Sequence, residues 1–394
     1  MRRAEVAVVG AGIAGLAAAL ALARAGREVL VIERAETLGE VGAGLQMSPN
    51  AVRALDFLGV GEAVREAGSR PAEVLLRLHR GGEIAFRMPL GETVERRFGA
   101  PYLHLHRADL HGILLAAARV AGVEILLGEP VAGLERPGKW DGETARLRTD
   151  RHEIEADLLL GADGVRSILR AEVAGESAPR FSGNVAWRGL APAEGLPEAV
   201  SGPRATVWMG LGKHLVVYPL RRGKSLNFVA VESRNAWTEE NWSKPGDPRA
   251  LREKFAGFAE PVQALLSRVS ETYLWGLFSH APLPRWSNGR TVLIGDAAHP
   301  TTPFLAQGAA MALEDAASLA LSLSRGKTLP AWEASRKPRT TRLQRASLRT
   351  GRNYHAGSAP EQWLKATALR TLSLAAPSKA ADLNAWIYAY DPTA

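Results

Sequence analysis

The residues of this chain best suited to chemistry begin close to its amino end. Gly10, Gly12 and Gly15 give G-x-G-x-x-G inside VVGAGIAGLAAALALARAGREVLVIER, and Glu33 stands 18 residues after the last of them. Glycine at the first position permits a tight turn, at the second lets phosphate approach the backbone, and at the third lets helix and strand pack closely. A helix N-terminus then faces a pyrophosphate, and Glu33 can accept hydrogen bonds from ribose hydroxyls. A lone G-x-G-x-x-G is a weak signal. Strand, turn, helix, strand and acid in this order make a strong one for binding an adenine dinucleotide, without separating FAD from NAD.

Two aspartates lie much further along. GADGVRS carries Asp163, and GDAAHP carries Gly295, Asp296, His299 and Pro300. Each follows a hydrophobic run, Ile154 to Leu160 or Thr291 to Ile294, at a glycine turn, where open α/β sheets place ligand contacts. After Pro303, PTTPFLAQGAAMALEDAASLALSLSRG reads as a stiff loop and then a long buried helix from about Gln307 or Gly308. Its N-terminus, with Gly308 and Ala309, offers unpaired N–H groups and partial positive charge. In KHLVVYP, alternation puts His214, Val216 and Tyr218 on one strand face, and Pro219 closes the strand. His214 and Tyr218 then stand about 13 Å apart, enough to bracket a small ring.

These groups need two kinds of element to position them. Glu5–Val9 and Glu28–Ile32 read as buried strands either side of a helix over Ala17–Ala25, which Gly26 ends. From about Phe181 to Tyr273 the pattern changes to strands, Thr206–Met209, Lys213–Tyr218 and Leu226–Val231, of an antiparallel sheet. The composition, 46% hydrophobic and 23% charged, is that of a globular protein. The absence of cysteine excludes disulfides, thiolate metal sites, cysteine nucleophiles and thiol redox pairs, and no metal is expected. The net charge of +8 comes mostly from scattered arginine without a reader motif, so no nucleic-acid partner is expected. Arg2 and Arg3 before an apolar run imitate a secretory leader, but Glu5, the spaced glycines and the following strand assign this segment to the fold. No apolar run reaches the roughly 18 residues of a membrane span, so a cytoplasmic location without a membrane partner is expected.

Taken together, the chain resembles the flavin-dependent aromatic hydroxylases of the para-hydroxybenzoate hydroxylase fold, with the closest likeness to salicylate hydroxylase, 3-hydroxybenzoate 6-hydroxylase and 6-hydroxynicotinate 3-monooxygenase. The likeness rests on the three motifs in order and on EVGAGLQMSPNA, HRADLHGIL, FSGNVAWRGL, PTTPFLAQGA and WIYAYD. It implies an α/β fold: a Rossmann-like FAD-binding domain, an inserted mixed or antiparallel β-sheet substrate domain, and C-terminal helices. The FAD-binding parts are expected at 1–72, 98–180 and 276–340, the substrate parts at 73–97 and 181–275, and a helical region at 341–394. It also implies FAD as cofactor, NADH or NADPH as co-substrate, and dioxygen and a small aromatic compound as partners, in a monomer or homodimer. The missing second G-x-G-x-x-G fits a nicotinamide that binds briefly without its own module.

By the same resemblance Glu33 and Arg34 contact the adenosine part of FAD, Arg107 neutralises its phosphates, Asp296 holds the ribityl chain, and GADGVRS with Asp163 serves flavin and nicotinamide. Gln46, Gly295, Gly308 and Ala309 join this cofactor set. His214, Tyr218, Pro300 and Gln307 form the catalytic set: His214 assists ionisation of a phenol that attacks the distal oxygen of a flavin 4a-hydroperoxide, and Tyr218 hydrogen-bonds the ring oxygen or relays its proton. Gln46 and Gln307 position polar groups, while Trp187, Phe304 and Pro300 exclude water. Where the 6-hydroxynicotinate enzyme has histidines this chain has Gln46 and Phe304, which tilts the substrate toward a phenolic acid. Rival readings are tailoring of a bulky or polycyclic metabolite on the same fold, and a non-catalytic flavin-binding partner protein. Arg336, Arg339, Arg342, Arg345, Arg349 and Arg352 are expected to form a solvated cationic helix face, and Trp386, Tyr388 and Tyr390 to serve packing. A His214→Ala, Tyr218→Phe double variant is expected to lose hydroxylation; hydroxylated product retained at the parent rate defeats the assignment.

Overall fold

The computed structural model describes residues 1–39, 43–134, 144–175, 177–237, 244–375, 380 and 382–394. Glu40, Val41 and Gly42, which open EVGAGLQMSPNA, lie outside the described residues. From the amino end the chain forms β1 (Arg2–Val9), α1 (Ile13–Arg24), β2 (Val29–Ile32), β3 (Gly44–Met47), α2 (Pro49–Phe57), β4 (Glu73–Leu78), β5 (Ile84–Pro89), β6 (Leu103–His106), α3 (Arg107–Val120) and β7 (Glu124–Leu126). It continues through β8 (Val131–Leu134), β9 (Ala145–Thr149), β10 (Glu153–Gly161), β11 (Arg180–Pro192), β12 (Arg204–Met209), β13 (Lys213–Leu220) and β14 (Ser225–Ser233). Then come β15 (Pro245–Gly246), β16 (Thr272–Ser279), β17 (Ser287–Asn288), β18 (Thr291–Leu293), α4 (Gly308–Ser324), α5 (Leu329–Tyr354) and α6 (Ala359–Ala375). Among the described residues no helix is long and apolar enough to cross a membrane.

The first sheet runs β17-β18-β10-β1-β2-β7, with β9 on β10 and β8 on β9. Its centre is parallel: β1 pairs with both β10 and β2, and β10 with β18. Parallel strands covered on both faces read as continuous apolar runs, and Val6 to Val9 and Val29 to Ile32 are all buried. Helix α1 covers this sheet with Leu16, Ala17, Ala18, Ala19 and Leu20, each at most 1% exposed, which suits a helix apolar all round. β1, β10 and β18 all end at one edge of the sheet, and Gly10, Ala162–Asp163 and Gly295–Asp296 follow them there.

The second sheet runs β15-β16-β11-β14-β13-β12-β4-β5, antiparallel except where β12 meets β4. It therefore gathers strands from both sides of the first sheet in sequence. Strand alternation separates its faces. Leu215, Val217, Phe228, Trp187 and Trp208 pack under helices at 248–254 and 260–267, through Leu251, Phe255, Val262 and Leu265. The opposite face carries Ala186, Val231, Trp275, Val207, Met209, Tyr218 and Leu220. Trp187 thus lies on the face away from His214, because its neighbour Ala186 takes the near one, and its Nε1–H donates to Glu232 at 3.3 Å; the expectation that it closes the pocket is corrected. β13 also runs past Pro219 to Leu220, since Pro219 faces Leu226 in register.

The arginine helix differs most from expectation. Arg342, Arg345, Arg349 and Arg352 of α5 are exposed, but Arg336 is fully buried and Arg339 half-buried. Arg336 pairs with Glu314 and Asp315 of α4 at 2.9 Å each, and Arg339 takes Glu314 at 2.7 Å. Arg336 also donates to the Tyr390 hydroxyl at 3.0 Å, and the Arg339 guanidinium lies 3.9 Å from the Tyr390 ring centre. Periodicity showed a cationic stripe; two buried carboxylates on a neighbouring helix turned one edge of it inward. Arg336→Met leaves both carboxylates without their shared cation, and unfolding by urea is expected to lose about 3–5 kcal/mol of stability, against under 1 kcal/mol for exposed Arg349→Met.

Candidate active site

At the edge where β1 ends, packing dictates two of the three glycines. Gly10 has φ +103°, and a Cβ there would lie 2.5 Å from the Ala162 carbonyl oxygen; a Cβ on Gly15 would lie 1.8 Å from that of Gly10. A Cβ on Gly12 would meet nothing within 4 Å, so this position keeps open space in front of α1. Gly12 caps α1 without a side-chain hydrogen bond, leaving the first N–H groups for a ligand. Glu33 accepts from the amides of Ala11 at 2.7 Å and Ala35 at 2.9 Å, which locks its carboxylate against the glycine turn. Arg34 is exposed beside it. His111 of α3 donates Nε2–H to the Ala11 carbonyl at 2.8 Å and so ties α3, with Arg107 at its first residue, to the same turn. Nothing in the sequence singled out His111.

The other two turns meet there. Asp163 Oδ2 accepts from the amides of Ile168 and Leu169, while its Oδ1 is buried with no partner among the described residues. Burial raises the Asp163 and Asp296 pKa values, and His299, Arg107 and Arg170 partly offset this at Asp296. Arg170 holds the turns together: it donates to the carbonyls of Val165, Asp296 and Ala297 at 2.6–2.8 Å. Gly295 has φ +57°, and a Cβ there would lie 2.9 Å from Ala14 of α1. Its amide donates to Asp315 at 3.0 Å, and His299 Nε2 to the same carboxylate oxygen at 2.6 Å. Helix α4 starts at Gly308, and no side chain caps its first amides. An orphaned buried carboxylate oxygen, an uncapped helix start and an open glycine cradle fit a flavin dinucleotide.

The residues expected on the substrate side lie on the near face of the second sheet. His214 is 2% exposed and Tyr218 4% exposed, on that face with Val216 between them. His214 has ring neighbours Phe304 at 5.8 Å, Tyr354 at 5.1 Å and His355 at 4.9 Å between centres. Burial, with the nearby His355, holds its pKa well below the usual value, so it is neutral at pH 7. Tyr218 packs 4.6 Å from the His104 ring, and burial pushes its pKa up while the Gln46 side chain draws it back. Gln46 also accepts from the Tyr102 hydroxyl at 2.6 Å.

Strand β3 docks on this wall through a glycine. A Cβ on Gly44 would lie 2.5 Å from the Tyr218 ring, and the Gly44 amide donates to Asn227 at 2.7 Å. Asn227, Gly44, Tyr354, His355 and Arg170 were missed in the sequence; their signal is positional and appears only when strands far apart are paired. Pro300 is buried, and its carbonyl accepts from Gln344 at 3.0 Å. The Gln307 amide is held by Ser48 at 3.0 Å and Asn50 at 3.1 Å, which joins it to α2 rather than to His214. Among the described residues no cluster of metal ligands occurs.

The family described as FAD binding domain matches residues 3–344. The chain is 37% identical over 394 residues to a 3-amino-4-hydroxybenzoate 2-monooxygenase of Streptomyces platensis, covering 99% of this chain and 96% of that one. It is 38% identical over 345 residues to a 3-hydroxybenzoate 6-hydroxylase of Aquipseudomonas alcaligenes, covering 86% of each. A solved salicylate hydroxylase substrate complex superposes with a TM-score of 0.81 at 26% identity, covering 99% of this chain and 96% of that one.

Gly15→Ala forces a methyl into the Gly10 carbonyl, so the purified variant is expected to retain under a tenth of the parent's FAD, read from flavin absorbance against protein; Gly12→Ala keeps the fold and weakens only cofactor binding. Burial also depresses His104 to about 3 and His280 and His355 to about 4, from an ordinary 6.5. Below about pH 6.5 the unfolded chain binds protons these sites refuse when folded. Stability present above that pH is therefore expected to fall steadily toward pH 4, and His104→Gln to flatten part of the slope in urea midpoints measured against pH.

Proposed function

This chain belongs to the FAD binding domain family and is a flavin-dependent monooxygenase, and we propose that it hydroxylates a small phenolic acid at the expense of NADH or NADPH and dioxygen. The observation that carries the substrate class is the buried, neutral His214 on one wall with Tyr218, Gln46 and Tyr102 as hydroxyl and amide groups further along it. A phenol ring attacks an electrophilic oxygen well only as its phenolate, so a neutral imidazole at its hydroxyl is the group the chemistry requires. The two relatives described above are named for aminohydroxybenzoate and hydroxybenzoate, both phenolic acids.

Each residue set has its part in this reading. Gly10, Gly12, Gly15, Glu33 and Arg34 would hold the adenosine and pyrophosphate end of FAD, with Arg107 balancing phosphate charge. Asp163, Gly295, Asp296, Gly308 and Ala309 would hold the ribityl chain and ring end, where the α4 N-terminus favours negative charge. When bound, FAD supplies the reduction of dioxygen that delivers one oxygen atom to the substrate ring. His214 Nε2 takes the phenol proton, Tyr218 orients the ring through its hydroxyl, and Phe304 and Pro300 exclude water. Gln46 sets the Tyr218 and Tyr102 hydroxyls, and Gln307 fixes the loop before α4. A surface cleft of about 400 Å³ lined by Arg166, Ser167, Arg170 and His280 lies beside the Asp163 turn and gives a nicotinamide a transient seat. That reductant is intracellular, which favours a cytoplasmic location; a monomer or homodimer fits a site assembled within one chain.

The test is NADH and NADPH oxidation with oxygen uptake by the FAD-loaded protein across a panel of hydroxybenzoates, aminohydroxybenzoates and pyridine analogues. Stimulation by a phenolic acid, with hydroxylated product equal to nicotinamide consumed, is expected. Stimulation only by bulky polycyclic compounds, or none at all, overturns the substrate class.

A further inference from the structure

One half-buried histidine beside His214 has no part in the reaction as described above. His355 follows directly on α5, with its Nε2 2.7 Å from His214 Nδ1. Its Nδ1 lies 3.1 Å from the Oγ of Ser233, the last residue of β14, and Ser233 Oγ is 3.3 Å from Asn184 Oδ1 on β11. His214 is buried, His355 is half-buried, and Ser233 is exposed. The three residues therefore form one hydrogen-bonded line from the buried wall to bulk water.

Donor arithmetic orients the whole line. A neutral imidazole has one N–H and one bare nitrogen. If His214 Nδ1–H donates to His355 Nε2, His214 Nε2 is left bare. His355 must then carry its proton on Nδ1 and donate to Ser233 Oγ, whose own hydroxyl proton points to Asn184. No other group competes for these atoms among the described residues. The groups around the pair are the Tyr354 and Phe304 rings, Ser233, and the Lys365 ammonium of α6, itself paired with Glu361 at 2.6 Å. Burial and Lys365 both disfavour a resting charge on His355, whose pKa is held at about 4.

We propose that His355 and Ser233 form the proton exit of the active site, carrying to solvent the proton that His214 removes from a phenolic substrate. This deepens the phenol-hydroxylase reading and rests on it. The balance closes: the substrate O–H bond breaks as an N–H bond forms at His214 Nε2, and the His214 Nδ1 proton moves to His355 Nε2. The His355 Nδ1 proton then leaves through Ser233 to water, so one phenol becomes one phenolate and one proton enters solvent. When the product oxygen is reprotonated the hops reverse, and both rings regain their starting tautomers. A buried base without such a path would have to keep an imidazolium in a site that burial makes hostile to charge. His355 is a positioning and relay residue here, since it does not touch the substrate.

The test uses the FAD-loaded full chain and reads ionisation of a bound phenol rather than turnover. 4-Hydroxy-3-nitrobenzoate is mixed with the protein in a stopped-flow instrument at several pH values, and the visible phenolate band reports proton loss directly. His355→Ala and His355→Gln are both measured, with FAD content and melting temperature checking the fold; glutamine keeps hydrogen bonds but cannot pass a proton. The expected result is an equilibrium affinity within about threefold of the parent, phenolate formation slowed about tenfold or more in both variants, and recovery of the alanine variant by added imidazole. Ser233→Ala is expected to have a smaller effect, since water can reach His355 Nδ1. Phenolate formation at the parent rate in both His355 variants overturns the relay while leaving the hydroxylase reading in place. Failure of the parent to bind any phenolic acid overturns both together.

Discussion

Two carboxylates side by side on one helix, Glu314 and Asp315, are fully buried in α4, and most of the site depends on how they are neutralised. Burying two anions is expensive unless each is paired and hydrogen-bonded. Glu314 takes Asn50 at 2.7 Å, Arg339 at 2.7 Å and Arg336; Asp315 takes Arg336, His299 at 2.6 Å and the Gly295 amide. Burial raises both pKa values, but the two arginines and His299 outweigh it and hold both groups ionised. Those partners come from three separate parts of the chain. The start of α2, the Gly295 turn, α5 and the carboxyl tail through Tyr390 therefore close on one point.

That point lies directly behind the cofactor turns. The carboxylate that holds Gly295 and His299 fixes the turn carrying Asp296, and Asn50 in turn holds Gln307 at the start of α4. Unpaired carboxylates here would be worse than an apolar core; all four carboxylate oxygens are paired, which fixes where α4 begins. The C-terminal helices are thus part of the active-site scaffold. α5 supplies Arg336 and Arg339 to the buried carboxylates near its start, and its end presents Tyr354 and His355 to the substrate wall.

The second constraint is the interleaving of the two sheets. Strand β3 lies against Tyr218 and Asn227 because Gly44 has no side chain to hold them off. A single glycine therefore sets the distance between the cofactor module and the substrate wall. The wall joins β4 and β5, which end at Pro89, to β11–β14, which begin only at Arg180.

Local pattern decided a good deal. The G-x-G-x-x-G turn, the acid closing β2, the two aspartate turns and the helix after Pro303 were all legible in the sequence, because each depends on residues close together and on steric rules that act over a few bonds. The alternation that puts His214 and Tyr218 on one face was legible for the same reason. What the sequence could not decide was which side of an element meets which partner. Trp187 alternates as well as any pocket residue, yet it faces the helices behind the sheet. The arginines of α5 repeat as well as any solvated stripe, yet Arg336 is buried on two acids from a helix that looked merely apolar. Asn227, Gly44, Arg170 and His355 carry no local signature at all; they matter through partners 140 or more residues away in most cases, as for His355 with His214. Short-range sterics and periodicity are written in the sequence itself, whereas charge neutralisation and close approach between distant segments exist only once tertiary packing has removed water from between them.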